Sequence, residues 1–237
     1  MFDGEMVQVH WNKHHTINPK IVVADRSKAA RIINLRAGLE ICQDIRWNDK
    51  IIGQAQWYPS AKHLLYTADL DGNVAFFDIR SARGALAQKK LMNHRITAIR
   101  PTSDGNQFLI SDEKGNIKVF DAYDWKKLSE YKLPTYSNHM YFPPCVRVFE
   151  EEDIFFAINH QKAVEVVKFA KDFQFTPQQK TYSTHVWDIH SFAFRQTFHQ
   201  LIVSGEHSHI VFYQPKVDTN EEDDDIKITS TKKDTWD

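Results

Sequence analysis

Histidine is the residue type that could most readily bind a metal in this sequence, since twelve histidines are present. His207 and His209 would place two imidazoles on one face of a strand. A zinc site, however, needs three or four ligands at defined spacing, often with cysteine or acidic partners. The sequence offers no such set, and the two cysteines, Cys42 and Cys145, lie far apart. We therefore predict that the protein uses no metal or other cofactor and that its histidines lie in loops and turns.

Catalytic motifs are a second kind of chemistry to look for. The sequence contains no G-x-S-x-G elbow, no phosphate-binding P-loop, no G-x-G-x-x-G and no H-E-x-x-H. The acidic run from Glu150 to Asp153 falls between two apolar segments, where a solvated loop explains it. Paired carboxylates of the glycosidase type are an alternative that spacing alone does not establish. We predict that the chain is not an enzyme.

The composition is that of an ordinary globular chain. Hydrophobic residues make up 42% and charged residues 26%, and the formal net charge is −1, so no global basic field points to nucleic acid. The N-terminus lacks the features of a secretory signal, and no apolar run reaches the roughly 20 residues of a membrane span. Two isolated cysteines are typical of reduced thiols. We predict an intracellular protein, in the nucleus or cytoplasm, that does not bind membranes.

Two segments of the chain repeat one pattern, and this repeat indicates the secondary structure that positions the candidate residues. DGNVAFFD (71–78) and KGNIKVFD (114–121) align with a constant offset of 43 residues. Each follows a short apolar segment, HLLYTA (63–68) or QFLISD (107–112). Segments of this length, rich in β-branched and aromatic residues, are typical of strands. Each repeat therefore predicts strand, loop, strand, tight turn and strand.

Fainter copies of this unit extend in both directions along the chain. QVHW (8–11) echoes QAQW (54–57), and further sets of apolar segments cover 145–168 and 186–214. The aligned turn positions are Ala30, Gly72, Gly115, Lys162 and Ser208. Five units of roughly 45 residues with four short strands each match the blade period of a β-propeller. A β-sandwich is the competing all-β class, but sandwiches do not repeat such a signature.

The second and third repeats resemble blades of the WD-repeat family. In that family a Gly-His pair precedes the first strand, a Ser or Thr lies in the second, Asp-Gly forms the tight turn, and Trp-Asp ends the third. The matching positions are Thr67, Asp71, Gly72, Phe77 and Asp78 in the second repeat, His94, Gly115, Phe120 and Asp121 in the third, and His185 before the fifth. The resemblance covers residues 6–215 and implies an all-β, WD-repeat-like propeller with about five four-stranded blades.

These signature residues have structural roles. The glycines suit a two-residue hairpin turn that needs positive φ. The aromatic residue before the closing aspartate is expected to fill the space between neighbouring blades. The family's network of His, Ser/Thr, Asp and Trp is incomplete here, because Phe120 cannot donate a hydrogen bond and Lys114 replaces the turn aspartate in the third repeat. We therefore expect blade stability to depend on packing.

Two local features could bind a partner. The insertion 134–144 carries Tyr136, His139, Tyr141 and Phe142 between prolines. Aromatic residues on a proline-stiffened loop can form a contact patch at low entropic cost, or they can simply cap the blade junction. Basic clusters, at Lys89–Lys90, Arg95 with Arg100, and Lys126–Lys127, could touch phosphates or acidic peptides. Solvated strand edges explain these clusters as well, because no aromatic residues are interleaved with them.

The acidic tail and the blade number bear on the organisation of the domain. We predict a propeller domain over 1–216 and a disordered acidic tail over 217–237, because five consecutive acids at 221–225 cannot bury surface. Five blades are few for the family. An open arc would expose strand edges and apolar faces. We expect an incomplete ring, with this chain either part of a longer protein or completed by a partner subunit. The alternative is a five-bladed ring closed by IKITST (226–231).

The predicted function is a non-enzymatic scaffold that presents propeller surfaces to other protein subunits of a larger intracellular complex. This preference rests on analogy with the usual role of the family. The alternative is a recognition module for a modified peptide, a histone tail or RNA. A propeller-fold enzyme with a site at the channel mouth is the third possibility. Nucleic acid is expected as an indirect partner only.

Overall fold

β-Strands form the regular secondary structure of the described part of the chain. The computed structural model describes residues 8–14, 17–25, 28–36, 38–47, 49–81, 83–132, 146–150, 154–160, 163–169, 175–183, 191–195, 200–205 and 210–213. These ranges hold nineteen strands and no helix. A helix able to cross a membrane is accordingly not found within them.

The strands form five antiparallel sheets in chain order. The first sheet contains β1 (Gln8–Trp11), β2 (Lys20–Ala24), β3 (Ala30–Asn34) and β4 (Glu40–Ile45). The second contains β5 (Ile52–Trp57), β6 (Leu64–Asp69), β7 (Asn73–Asp78) and β8 (Ala87–Lys90). The third contains β9 (Ile96–Pro101), β10 (Gln107–Asp112), β11 (Asn116–Asp121) and β12 (Lys127–Lys132). The fourth contains β13 (Val146–Glu150), β14 (Ile154–His160), β15 (Ala163–Phe169) and β16 (Phe175–Ser183). The fifth contains β17 (Ser191–Arg195), β18 (Gln200–Ser204) and β19 (Ile210–Tyr213).

Neighbouring sheets pack through the first strand of each, as the blades of a propeller do. Strand β1 contacts β5, β5 contacts β9, and β9 contacts β13. Within each sheet the strands follow one another as a meander, so the first strand is innermost and the last is outermost. The predicted all-β propeller fold is therefore confirmed, with four four-stranded blades and a fifth of which three strands are described.

The second blade is buried on both faces, and the side-chain alternation of its strands explains how. Leu65 and Phe77 belong to an apolar cluster shared with the first blade. Tyr66 and Val74 belong to another cluster, shared with the third blade. Successive side chains of a strand point to opposite faces of the sheet, so each strand feeds both clusters. Burying a side chain of this size contributes about 2 kcal/mol, which makes the two blade interfaces the main source of stability here.

The tight turns of the second and third blades differ from the sequence expectation. Three residues, not two, separate β6 from β7 and β10 from β11. Gly72 and Gly115 take the last loop position with φ of +88° and +75°. A three-residue hairpin with a final left-handed residue is the next common solution after the two-residue turn.

An aspartate at the end of the second strand organises each of these turns. The Asp69 carboxylate accepts hydrogen bonds from the backbone amides of Asp71 and Asn73 at 2.9 Å, and from the Asn73 side chain at 2.6 Å. Asp112 makes the same three bonds, with Lys114 and Asn116 in the corresponding positions. The substitution of lysine at position 114 therefore leaves the turn intact, because that residue contributes only its backbone amide.

The corresponding turn of the first blade uses a different pair. The pair Ala24–Ala30 flanks this turn as the pair Ala68–Val74 flanks the turn of the second blade. Lys28 therefore occupies the position of Gly72. The predicted alignment of Ala30 with Gly72 was wrong by two residues. Ala-Ala at 29–30 offers no glycine to fix that alignment from sequence. Asp25 corresponds to Asp69 and forms a buried ion pair with Arg31.

Candidate functional site

The two ends of the blades carry different connections. The loops β1–β2, β3–β4 and their counterparts in the later blades lie at one end of the strands, which we name the loop face. The hairpin turns β2–β3, β6–β7 and β10–β11, with the connections between blades, lie at the other end, which we name the turn face. This division follows from the meander order of each sheet.

The two signature phenylalanines lie between blades. Phe77 packs in the cluster that joins the first and second blades, and Phe120 in the one that joins the second and third. Phe120 stacks on Phe108 with 5.5 Å between ring centroids. These rings fill interblade space and belong to the core.

The aspartates that follow these phenylalanines cap the next loop. Asp78 accepts hydrogen bonds from the backbone amide and guanidinium of Arg80, which lower the pKa of the carboxyl to about 2. Asp121 accepts from the amides of Tyr123 and Asp124 at 2.8 and 3.2 Å. Both carboxylates are thus engaged in local loop structure.

Three other signature residues of the second and third blades do not form the family's hydrogen-bond network with one another. The Thr67 hydroxyl is buried without a hydrogen-bond partner. Asp71 is exposed and pairs with Lys50 at 2.7 Å. His94 is exposed and lines an open depression of about 350 Å³ on the turn face, together with Asp112 and Lys132.

The proposed contact loop lies outside the described residues. Tyr136, His139, Tyr141 and Phe142 belong to it, and His185 is also outside the described ranges. Their predicted roles stay predictions.

Polar side chains occupy one position on three successive inner strands. His10, Gln56 and Arg100 occupy equivalent positions of β1, β5 and β9. In each blade, the residue just before the turn aspartate pairs with a residue of the inner strand, and the polar side chain lies two residues after that inner-strand residue. The guanidinium of Arg100 donates to the Gln56 side-chain oxygen at 2.8 Å. The Trp57 amide donates to His10 Nδ1 at 3.2 Å. Contacts between blades are therefore polar at the propeller centre and apolar farther out.

His10 is held in its neutral form. Burial, together with the positive charges of Arg100 and Lys13, lowers the pKa of its imidazole from 6.5 to about 4. Because Nδ1 accepts a hydrogen bond from the Trp57 amide, protonating that nitrogen would break this hydrogen bond between β1 and β5.

On the loop face, hydrogen bonds tie the first blade to the second and the second to the third. The side-chain amide of Asn12 donates to the carbonyl oxygen of Lys62 at 2.8 Å. The Tyr58 hydroxyl donates to the carbonyl oxygen of Gly105 at 2.5 Å. Loops from the first three blades therefore form one continuous surface.

Three cations on this surface lack acidic partners. Lys13, Lys62 and Arg83 are exposed and form no ion pair with any residue that the structure describes. The nearby carboxylates of Asp78 and Asp104 are engaged by residues of their own loops. Large apolar side chains are exposed on the same face, namely Ile17 at 77%, Leu39 at 67% and Leu86 at 56%.

The turn face shows the opposite arrangement. Four of its cations are paired with carboxylates: Lys28 with Asp49 at 2.7 Å, Lys50 with Asp71 at 2.7 Å, Arg46 with Asp44 at 3.2 Å and Arg95 with Glu113 at 3.6 Å. Unpaired cations beside exposed apolar side chains are therefore a feature of the loop face within the described blades. Sequence analysis did not identify Lys13, Lys62 and Arg83 as a group because they come from three different loops.

Among the described ranges, no group of three or more His, Cys, Asp or Glu side chains is arranged to hold a metal ion.

Blades that pack through their inner strands define a β-propeller, and the signature of the second and third blades gives it WD-repeat character. The chain is similar to DNA damage-binding protein 2 of Bos taurus, with 28% identity over 112 residues. This match covers 46% of the chain and 26% of the relative, so the chain spans about a quarter of the length of the curated relative. No protein-family model matches the sequence. Together, the similarity and the blade arrangement support a WD-repeat-type propeller, a fold that suits protein interaction.

Proposed function

We propose that the chain is a non-enzymatic interaction module of a larger intracellular complex, in the nucleus or the cytoplasm, with other protein subunits as its partners. The loop face supports this proposal. It combines unpaired cations with exposed apolar side chains, and hydrogen bonds between its loops hold it in shape. A preformed surface binds with less loss of conformational freedom than a flexible one.

The charge of the loop face indicates the kind of partner. Lys13, Lys62 and Arg83 would attract an acidic surface, and Ile17 and Leu39 offer apolar area beside them. Rim charges of this kind mainly accelerate association and select the partner, while buried apolar contacts supply affinity. An acidic protein surface with an apolar centre fits both features.

Purification of the tagged chain from its native source tests the proposal. Lys13→Glu/Lys62→Glu should lose the subunits that copurify in fixed ratio with the unchanged chain. Lys90→Glu/Lys132→Glu makes the same change of charge on outer strands and should retain them. Equal retention by the two variants would contradict a role for the loop face.

Direct nucleic-acid binding is the second candidate, because the similar Bos taurus protein is named as a DNA damage-binding protein. The same cations favour RNA or DNA over a histone tail, which is itself basic. Fluorescence anisotropy with a labelled duplex and a labelled single strand measures this directly. Binding through phosphates should weaken steeply with salt and should be lost in Lys13→Glu/Lys62→Glu. Salt-independent binding, or equal binding by both double variants, would exclude the loop face.

A further inference from the structure

The C-terminal segment carries charges opposite to those of the loop face. Residues 217–237 contain eight acids and three lysines, a net charge of −5, whereas residues 1–216 contain 27 lysines and arginines and 23 acids, a net charge of +4. Six of the acids lie in 218–225, where no cation occurs, and Ile226 and Ile228 follow directly. We name residues 218–228 the acidic segment. It combines carboxylates with apolar side chains, which are the two features that the loop face would recognise.

The course of the fifth blade brings the chain out at the loop face. Strand β19 is the third strand of its sheet, as β3 and β7 are of theirs. Third strands begin at the turn face, because the hairpin turn joins the second strand to the third, and they end at the loop face. Tyr213, the last residue of β19, therefore lies at the loop-face end of its blade. Residues 214–237 lie outside the described ranges and continue from this point.

The length of the connection allows the acidic segment to reach the other blades. Glu221 follows Tyr213 by eight residues and Asp225 follows it by twelve. An extended chain advances about 3.4 Å per residue, so these carboxylates can lie up to about 27 to 40 Å from the end of β19. A compact domain of this size has a radius of gyration of about 17 Å. Attachment to the same chain also gives the segment a local concentration of about millimolar, at which weak ion pairs suffice for contact.

Charge alone does not select the loop face, because Lys90 and Lys132 of the outer strands are exposed as well. Two further observations favour it. The chain leaves β19 on the loop face, and apolar side chains are exposed there, with Ile17 at 77% and Leu86 at 56%. Ile226 and Ile228 match these side chains in chemistry, and no comparable apolar pair lies beside Lys90 or Lys132 among the described residues.

We propose that the acidic segment binds the loop face of its own chain and covers it until an acidic partner displaces it. This inference rests on the proposed function, because it assigns a regulation to the same surface. Carboxylates of 221–225 pair with Lys13, Lys62 and Arg83, and Ile226 and Ile228 cover exposed apolar side chains. Exposed ion pairs are weak and screened by salt, so the segment excludes weaker ligands and yields to a partner that buries more apolar area.

Carbodiimide crosslinking of the full chain tests the contact, because this reagent joins a carboxylate to a lysine amine only where the two meet. Peptide mass spectrometry on an equal mixture of isotopically labelled and unlabelled chains locates the links. The peptide with 221–225 should link to Lys13 or Lys62 within one copy, and the yield should fall about threefold or more between about 0.05 and about 0.5 M salt. Equal yields at Lys90 or Lys132, or links mainly between copies, would overturn the proposal.

A full chain with a neutral acidic segment tests the covering role, with the substitutions Glu221→Gln, Glu222→Gln, Asp223→Asn, Asp224→Asn and Asp225→Asn. The probe is a fluorescent peptide of residues 217–231, and its anisotropy reports binding. The neutral variant should bind it about tenfold more tightly than the unchanged chain, because its own segment no longer competes. Equal affinity for the two chains would contradict the covering role.

Charge reversal in the neutral variant locates the probe. Adding Lys13→Glu/Lys62→Glu should abolish binding of the peptide. Adding Lys90→Glu/Lys132→Glu makes the same change of charge and should leave the binding in place. Loss of binding in both would show attraction to the net charge of the chain and would also overturn the proposal.

The covering inference and the proposed function fail separately. If Lys13→Glu/Lys62→Glu loses its copurifying subunits but the crosslinks do not reach the loop face, the covering inference fails and the interaction role stands. If the crosslinks map to Lys13 and Lys62 while the same double variant keeps its subunits, the segment covers a surface that does not bind the partners, and the proposed function fails.

Discussion

Glycines with positive φ show how much a single residue can decide. Gly72 and Gly84 have almost the same φ, +88° and +87°. A Cβ at Gly84 would meet no atom within 4 Å, whereas one at Gly72 would press on the carbonyl oxygen of Met92 and lie 2.7 Å from its carbonyl carbon. The Gly72 carbonyl in turn accepts from the amides of Leu91 and Met92. The two sites therefore share backbone strain and differ in steric contact.

Gly72→Ala and Gly84→Ala separate these effects. We expect Gly84→Ala to lower the free energy of unfolding by about 1 kcal/mol through strain, and Gly72→Ala by about 3 kcal/mol, because the segment around Met92 must also move. Urea unfolding of both variants measures the difference. Equal losses would show that the contact with Met92 relaxes freely.

Residue types alone identified the turn glycines but not their partners. Gly72 and Gly115 belong to the repeated segments, and glycine adopts positive φ readily because it has no Cβ. Asp69 and Asp112 repeat with the same offset, yet an aspartate at the end of a strand has many possible roles. Trp125 has φ of +57° and is buried, a conformation that no sequence rule assigns to tryptophan.

Among the elements, the β2–β3 turn depends on a charge pair where the later turns use asparagine. Asp25 and Arg31 have side chains 0% and 7% exposed, so removing the cation takes the ion pair away from a buried carboxylate. Lys50 and Asp71 form a comparable pair in solvent, with side chains 54% and 51% exposed. Burial should decide the outcome of breaking each pair.

Arg31→Met should lower the free energy of unfolding by about 3 kcal/mol, because breaking a buried ion pair by removing one partner is costly. Lys50→Met should cost less than about 1 kcal/mol, since exposed pairs contribute little. Thermal unfolding followed by circular dichroism compares the two. A similar small effect for both would mean that water reaches Asp25 in the variant.

Strand positions were predictable because burial on both faces leaves a continuous apolar pattern. The apolar segments 63–68 and 107–112, predicted as strands, overlap β6 and β10. The first turn was misaligned because Lys28 and Ala29 replace the Gly-Asn pair that marks the other two turns. Where an ion pair replaces the Gly-Asn pair, the period of the repeat alone does not determine how the turn aligns with the other turns.

Across the whole molecule, the contact between the first two blades makes stability depend on pH. His10 has a pKa of about 4 in the folded protein and 6.5 as its ordinary value. As the pH falls below 6.5, the unfolded chain binds a proton that the folded chain does not. The contribution of His10 therefore destabilises the fold progressively between about pH 6.5 and 4.

His10→Gln should remove this component. Glutamine can accept the Trp57 amide bond through its side-chain oxygen, as Gln8 accepts from Ala55. Between pH 7 and pH 5 the unfolding free energy of the unchanged chain should fall by about 2 kcal/mol more than that of the variant. Urea titrations of both chains at both pH values give this difference. The contribution of the other histidines is the same in the two chains and cancels. If both chains lose the same unfolding free energy between pH 7 and pH 5, the pKa of His10 is not lowered by folding.

The succession of blades was predictable from the repeat, but the contacts between their loops were not. Tyr58 and Gly105 lie 47 residues apart, and no motif links them. The loop-face charge likewise arises only when separate loops are brought to one end of the sheets. Surfaces assembled from several repeats depend on their relative placement, which single-strand patterns do not encode.

The direction of the interblade hydrogen bonds has a consequence for biosynthesis. Gln8 and His10 accept from β5, and Gln56 accepts from Arg100 of β9, so the side chains of the inner strands β1 and β5 supply acceptors to the inner strand that follows each of them. Ribosomes deliver the earlier blade first. When β5 and β9 emerge, the acceptor side chains of the preceding inner strand are therefore already part of the chain, and these two strands can dock without waiting for later repeats.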